Sequence, residues 1–121
     1  MFKRTVFRFI IAALAAALAP VAFAHAVLKE ASPPADAVLD TTPAQIRLQF
    51  NEALEAGFSK ITLTDGRGTA LTTPAAKVEP GQPDTLVLGL PVLAAGTWQV
   101  HWSTLTRDGH RVKGDYAFRV K

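Results

Sequence analysis

The 121-residue chain contains no cysteine and a single methionine, Met1. Without cysteine there is no disulfide, no thiolate nucleophile and no thiolate-bound zinc or iron–sulfur centre, so stability has to come from packing alone. Past residue 24 no stretch sustains an apolar period of about 3.6 residues, which excludes a helical bundle as the architecture. Charge of one sign is also lacking. The formal net charge of +3 resides in Lys3, Arg4 and Arg8, and residues 25–121 carry ten basic and ten acidic side chains. A neutral domain gives no electrostatic ground for binding nucleic acid or a membrane surface.

The three early cations precede an unbroken apolar run, Phe9 to Leu18, then Pro20 and the small-x-small triplet Ala22-Phe23-Ala24. That is the pattern of a secretory signal with its cleavage site. A membrane-spanning helix needs roughly 20 apolar residues, and even Phe9 to Ala24 falls short and is broken by Pro20. The expectation is therefore a leader over residues 1–24, export to the periplasm, and a mature domain of residues 25–121 that does not insert into the membrane. Its 97 residues suffice for one domain, since a chain of this size buries about 60 to 70 per cent of its unfolded surface. The mature chain would begin at His25 and contain no methionine.

Within the domain, polarity alternates. Ala26-Val27-Leu28 suggests a first strand, ended by Ser32-Pro33-Pro34-Ala35-Asp36. Ile46, Leu48 and Phe50 alternate with polar neighbours, as do Ile61 and Leu63; strict alternation marks strands with one wet face. Asp65-Gly66 is a hairpin signal. The returning stretch Leu71 to Val78 contains Pro74, so an edge strand or an irregular crossing is expected there. Pro80-Gly81-Gln82-Pro83 reads as a loop. Leu86, Leu88 and Leu90 share a parity, and in the stretch Thr97 to Leu105 Trp98, Val100 and Trp102 face one way while Gln99, His101 and Ser103 face the other. Tyr116, Phe118 and Val120 share a face in a last strand. About seven short strands at spacings of roughly ten residues predict an all-β fold, a Greek-key sandwich of immunoglobulin type.

Two features bear on chemistry. Asp108-Gly109-His110 places a carboxylate and an imidazole two residues apart, close enough in extended chain for both to reach one metal ion. An exposed turn with a solvated histidine has the same sequence. His25 adds weight to the metal reading: as an N-terminal residue it offers its α-amine and its imidazole Nδ1 to one ion, a chelate called a histidine brace. Three nitrogens and one oxygen suit Cu(II) in tetragonal geometry, and Cu(II) heads the divalent affinity series. Zn(II) takes the same donors tetrahedrally. The soft ligands that hold Cu(I), cysteine and methionine, are absent from residues 25–121. His101 reads as an exposed strand histidine and Trp102 as core. Arg107 and Arg111 flank the Asp-x-His motif as solvated charges or as partial neutralisers of the carboxylate.

Several motifs taken together carry a resemblance: His25 after Ala-x-Ala, Ser32-Pro33-Pro34, Phe50-Asn51-Glu52, the run Gly96-Thr97-Trp98-Gln99-Val100-His101-Trp102, Asp108-Gly109-His110, and Gly114 with Phe118. Over His25 to Lys121 the chain resembles the CopC family of periplasmic copper-binding proteins. The resemblance implies an immunoglobulin-like or cupredoxin-like Greek-key sandwich, with one Cu(II) held at its edge by His25, Asp108 and His110. It also implies a weak axial role, or one beyond the ligands, for Glu52, whose alternative is a solvated carboxylate. Family members with a second, Cu(I) site carry a methionine-rich loop that this chain lacks. The function expected is a non-enzymatic copper carrier or buffer in copper resistance or homeostasis, passing the ion to an inner-membrane copper transporter or a periplasmic copper protein. The alternatives are a histidine-brace copper oxygenase and a sandwich interaction domain that binds no metal.

Overall fold

The computed structural model describes residues 27–121; the expected leader 1–24, its cleavage point and His25 lie outside the described residues. Eight strands run in the order β1 (Leu28–Ser32), β2 (Val38–Leu39), β3 (Gln45–Phe50), β4 (Lys60–Thr64), β5 (Lys77–Glu79), β6 (Gln82–Gly89), β7 (Gly96–Leu105) and β8 (Arg111–Val120), with one 3₁₀ turn at Ala56–Phe58. They form two four-stranded sheets, β1-β3-β6-β5 and β2-β8-β7-β4, whose inner faces meet in one core. The all-β sandwich read from the alternation is the fold that forms.

The alternation is the cause of the layering. In β3, Ile46, Leu48 and Phe50 are fully buried while Gln45 is exposed. Ile61 and Leu63 of β4, Leu86 and Leu88 of β6, Trp98, Val100 and Trp102 of β7, and Phe118 and Val120 of β8 complete the core. Burying each such side chain contributes about 1.5 to 3 kcal/mol. Trp98 keeps its indole N–H satisfied by donating to the Ala94 carbonyl at 2.9 Å. Tyr116 packs against the core from the same face, and burial pushes its phenol up to about 12.

At one end of the sandwich Trp102 lies edge-on to Phe50, with ring centroids 5.0 Å apart and an interplanar angle of 69°, a favoured aromatic geometry. Gly114 stands opposite Trp102 in the β7–β8 ladder. The indole spreads over it, so a Cβ at Gly114 would lie 2.4 Å from Cζ2 of the ring.

Three sequence expectations change. The described residues form eight strands, because the two-residue β2 runs parallel to the end of β8 through Val38↔Arg119 and Leu39↔Val120. The first strand begins at Leu28, later than expected, and a register shift between Leu28 and Glu30 hides its alternation. Residues 80–83 are no open loop: Glu79 pairs with Gln82, so Pro80 and Gly81 alone make the turn and β6 begins at Gln82. Pro83 is tolerated there near a strand start, where its missing N–H costs little. The edge strand or irregular crossing expected after Asp65-Gly66 is what forms: the turn returns the chain for the single bridge Thr64↔Ala70, after which it crosses to the other sheet as edge strand β5.

Gly114→Ala should destabilise the domain by about 1 to 3 kcal/mol, the usual cost of forcing a methyl into a packed core. A lower midpoint with unchanged slope in a urea titration is the expected result.

Candidate metal centre

The ten-pair register of β7 and β8, from Gly96↔Val120 to Leu105↔Arg111, delivers the five residues Thr106 to His110 as a closed hairpin end. The turn is knitted by its own backbone. Thr106 N–H donates to the His110 carbonyl at 2.9 Å, and Gly109 N–H donates to the Thr106 carbonyl at 2.9 Å. Gly109 sits at φ 90°, a conformation that favours glycine.

Thr106, 1 % exposed, is the hub of the turn. Its hydroxyl donates a short hydrogen bond to Oδ1 of Asp108 and accepts from the His110 backbone N–H at 3.1 Å. The other carboxylate oxygen, Oδ2, lies 3.1 Å from Nδ1 of His110. Asp108 and His110 therefore meet, although through a tight turn and not through the extended chain that the spacing suggested. The Thr106 hydroxyl, partly opposed by desolvation and aided by His110, holds the Asp108 carboxyl below the usual carboxylate range. Both side chains remain nearly half exposed, so the pair is accessible. Chemically it can serve in two ways: carboxylate and imidazole both bind one ion, or the carboxylate accepts from Nδ1–H and orients the ring for a metal on Nε2.

The crossover from β3 to β4 ties this turn to the segment just ahead of β1. Asn51 N–H donates to the Val27 carbonyl at 3.1 Å, and Val27 N–H donates to Asn51 Oδ1 at 2.7 Å. Two residues on, the Ala53 carbonyl accepts from Arg107 N–H at 3.2 Å, and Leu54 bridges Thr106. Val27, Glu52 and the Thr106–His110 turn thus share one end of the sandwich.

Glu52 is half-buried. It lines a cleft with Gln49, Asn51, Pro83 and Asp84, and its buried Oε2 has no hydrogen-bond partner among the described residues. Among those residues no three His, Asp or Glu side chains gather as a metal-sized group, so Glu52 does not join Asp108 and His110 there. His101 lies on the outer sheet face, half-buried, its Nε2 3.0 Å from the Thr64 hydroxyl. Trp102 is core, as expected. Arg107 and Arg111 are exposed.

The family profile described as the CopC domain matches residues 28–121. The chain belongs to the CopC domain family. It is 38% identical over 107 residues to Copper resistance protein C of Escherichia coli, an alignment covering 83% of this chain and 84% of that one. The crystal structure of CopC from Methylosinus trichosporium OB3b superposes with a TM-score of 0.76 at 34% identity, covering 80% of this chain and 94% of the other. PcoC, described as a methionine-rich copper resistance protein from Escherichia coli, superposes at 0.67 with 36% identity, covering 81% and 100%. Residues 28–121 differ from that description in composition, since they contain no methionine.

Two residues of this end escaped the sequence reading. Thr106 was legible as a hydroxyl two places before an Asp-Gly turn, a pattern in which side chains cap local backbone. Asn51 was legible only as the polar residue that ends a strand.

Thr106→Val should raise the Asp108 pKa toward the ordinary carboxylate value, read from its carboxyl carbon in an NMR titration. Because the folded-state value is depressed, the stability this carboxylate contributes is present above its unfolded pKa and is lost as pH falls through the folded one. That acid-range loss should shrink in the variant, which should also lose about 1 kcal/mol for the buried hydrogen bonds.

Proposed function

We propose that this CopC domain is a periplasmic copper carrier or buffer that binds one Cu(II) per mature chain through the α-amine and imidazole Nδ1 of His25 together with Asp108 and His110. The observation that carries this reading is the convergence at one end of the sandwich. Val27 is held by Asn51, and Arg107 is held by Ala53 only two residues further along the same segment. His25 is two residues ahead of Val27 in the chain, a reach of about 7 Å. The donor set is three nitrogens and a carboxylate, in which Cu(II) finds its preferred tetragonal environment.

The Asp108–His110 pair fits such an ion on its own chemistry. The carboxylate is ionised well into acid, needs no proton removed to bind, and is fixed by Thr106. Glu52, whose buried Oε2 has no partner among the described residues, stands apart from the Asp108–His110 pair, which favours the role beyond the ligands over an axial contact. No cysteine and no methionine beyond Met1 leaves Cu(I) without its preferred soft donors, which supports a Cu(II)-only role within a family that includes a methionine-rich member. An exposed site suits transfer to an inner-membrane copper transporter or another periplasmic copper protein, and supports a carrier over an enzyme. Among the described residues no helix is long and apolar enough to cross a membrane.

The brace exists only if the leader is removed after Ala24, because an amide nitrogen is a poor donor. Adding one residue ahead of His25 should weaken Cu(II) binding by orders of magnitude in a competition titration; unchanged affinity would exclude the brace. His110→Ala should weaken binding strongly. Asp108→Asn should weaken it about tenfold or more if the carboxylate is itself a ligand, and far less if it only orients the imidazole.

Affinity should fall as pH is lowered from about 7 to about 5, since protons compete for the nitrogen donors. Asp108, already held below the usual carboxylate range, should contribute little to that fall. A competition titration repeated across this range with Asp108→Asn checks it: the variant should bind more weakly throughout with the same pH slope.

A further inference from the structure

The start of β1 is held in an unusual way. Leu28 pairs with Phe50, and one residue earlier an ordinary antiparallel ladder would continue through backbone groups of Val27 and Asn51. One of the two bonds is of that kind, Asn51 N–H to the Val27 carbonyl at 3.1 Å. The other is supplied by a side chain: Val27 N–H donates to Oδ1 of Asn51 at 2.7 Å. Strand β1 is an edge, with β3 as its one neighbour in the sheet, and Val27 is 56% exposed. Packing therefore does little to hold this residue, and strand ends without ties fray.

We infer that Asn51 is a positioning residue for the copper site. Its side-chain amide fixes where the chain ahead of Val27 enters the end of the sandwich that carries Asp108 and His110, so that the His25 ligand is presented there before copper arrives. The role rests on the reading of His25 as a ligand, and it explains why a strand would spend a side chain on a bond so exposed that it adds little to stability. Without it, copper has to order the entering residues as it binds. Fixing even one residue's backbone shifts an equilibrium by a factor of about 5 to 30.

The experiment is a double-mutant cycle on the chain that begins at His25, using Cu(II) alone as the probe and a competing chelator. Asn51→Ala should weaken Cu(II) binding by about 5- to 30-fold. Asn51→Asp, which keeps an acceptor for Val27 N–H, should bind as tightly as the parent or tighter. In chains carrying one extra residue ahead of His25, Asn51→Ala should make no further difference. Hydrogen exchange of the Val27 amide in the copper-free protein gives a readout independent of metal: it should be protected in the parent and in Asn51→Asp, and fast in Asn51→Ala. Equal losses in the extended and unextended chains, or a Val27 amide already unprotected in the parent, would overturn the positioning role. So would an unchanged affinity in Asn51→Ala while the extension itself weakens binding, a result that leaves the brace standing. If the extension leaves affinity unchanged, the ligand assignment of His25 fails and the positioning role falls with it.

Discussion

The four residues Asn51 to Leu54 hold together the parts of this molecule that matter for its chemistry. They leave β3 at the end of one sheet, and before reaching β4 in the other they make contacts in both directions. Asn51 grips Val27 just ahead of β1, while Ala53 and Leu54 grip Arg107 and Thr106 at the β7–β8 turn. A sandwich places strand ends from both sheets at the same rim as a matter of topology. The crossover converts that general proximity into a defined spacing between Val27 and the Asp-His turn. Beneath it, the Phe50–Trp102 pair closes the core, and Gly114 leaves the room that the indole fills.

On that frame the local chemistry is set by one buried hydroxyl. Thr106 organises both potential donors of the turn, the Asp108 carboxylate through its side chain and His110 through its backbone. The carboxylate is kept charged and in place by a partner that does not itself compete for a metal. Such prior arrangement is what separates a binding site from two acidic or basic residues that happen to be near each other. The composition supports the proposed Cu(II) reading, because a chain without cysteine and without methionine past Met1 offers copper only nitrogen and oxygen donors.

Much of this was legible in the sequence, for reasons specific to each element. Strands β3, β4, β7 and β8 show plain alternation because each has one buried and one wet face, and the inward set Trp98, Val100 and Trp102 was readable from parity alone. Strand β2 was not, since its two residues pair with Arg119 and Val120 far along the chain and have no local signature. The β5–β6 turn was obscured by two prolines, which mark a loop in composition but occupy a turn and a strand start in space. Asp108 and His110 were found by spacing, whereas the contacts around them were not: Thr106 acts through a turn that folds back, and Asn51 acts on the neighbouring strand of its own sheet, 24 residues away along the chain. The first depends on how the β7–β8 hairpin closes and the second on which strands pair, and only the fold determines either.

In the proposed site, processing and metal binding belong together for a physical reason. While residue 24 is attached, the nitrogen of His25 is an amide, and the donor set is short by one. The most direct test is the electron paramagnetic resonance spectrum of the chain beginning at His25 with one equivalent of Cu(II), recorded before and after acetylation of its α-amine. A tetragonal signal with nitrogen couplings that loses one nitrogen on acetylation is the result predicted. A spectrum that matches aqueous copper, or one that acetylation leaves unchanged, would contradict the account.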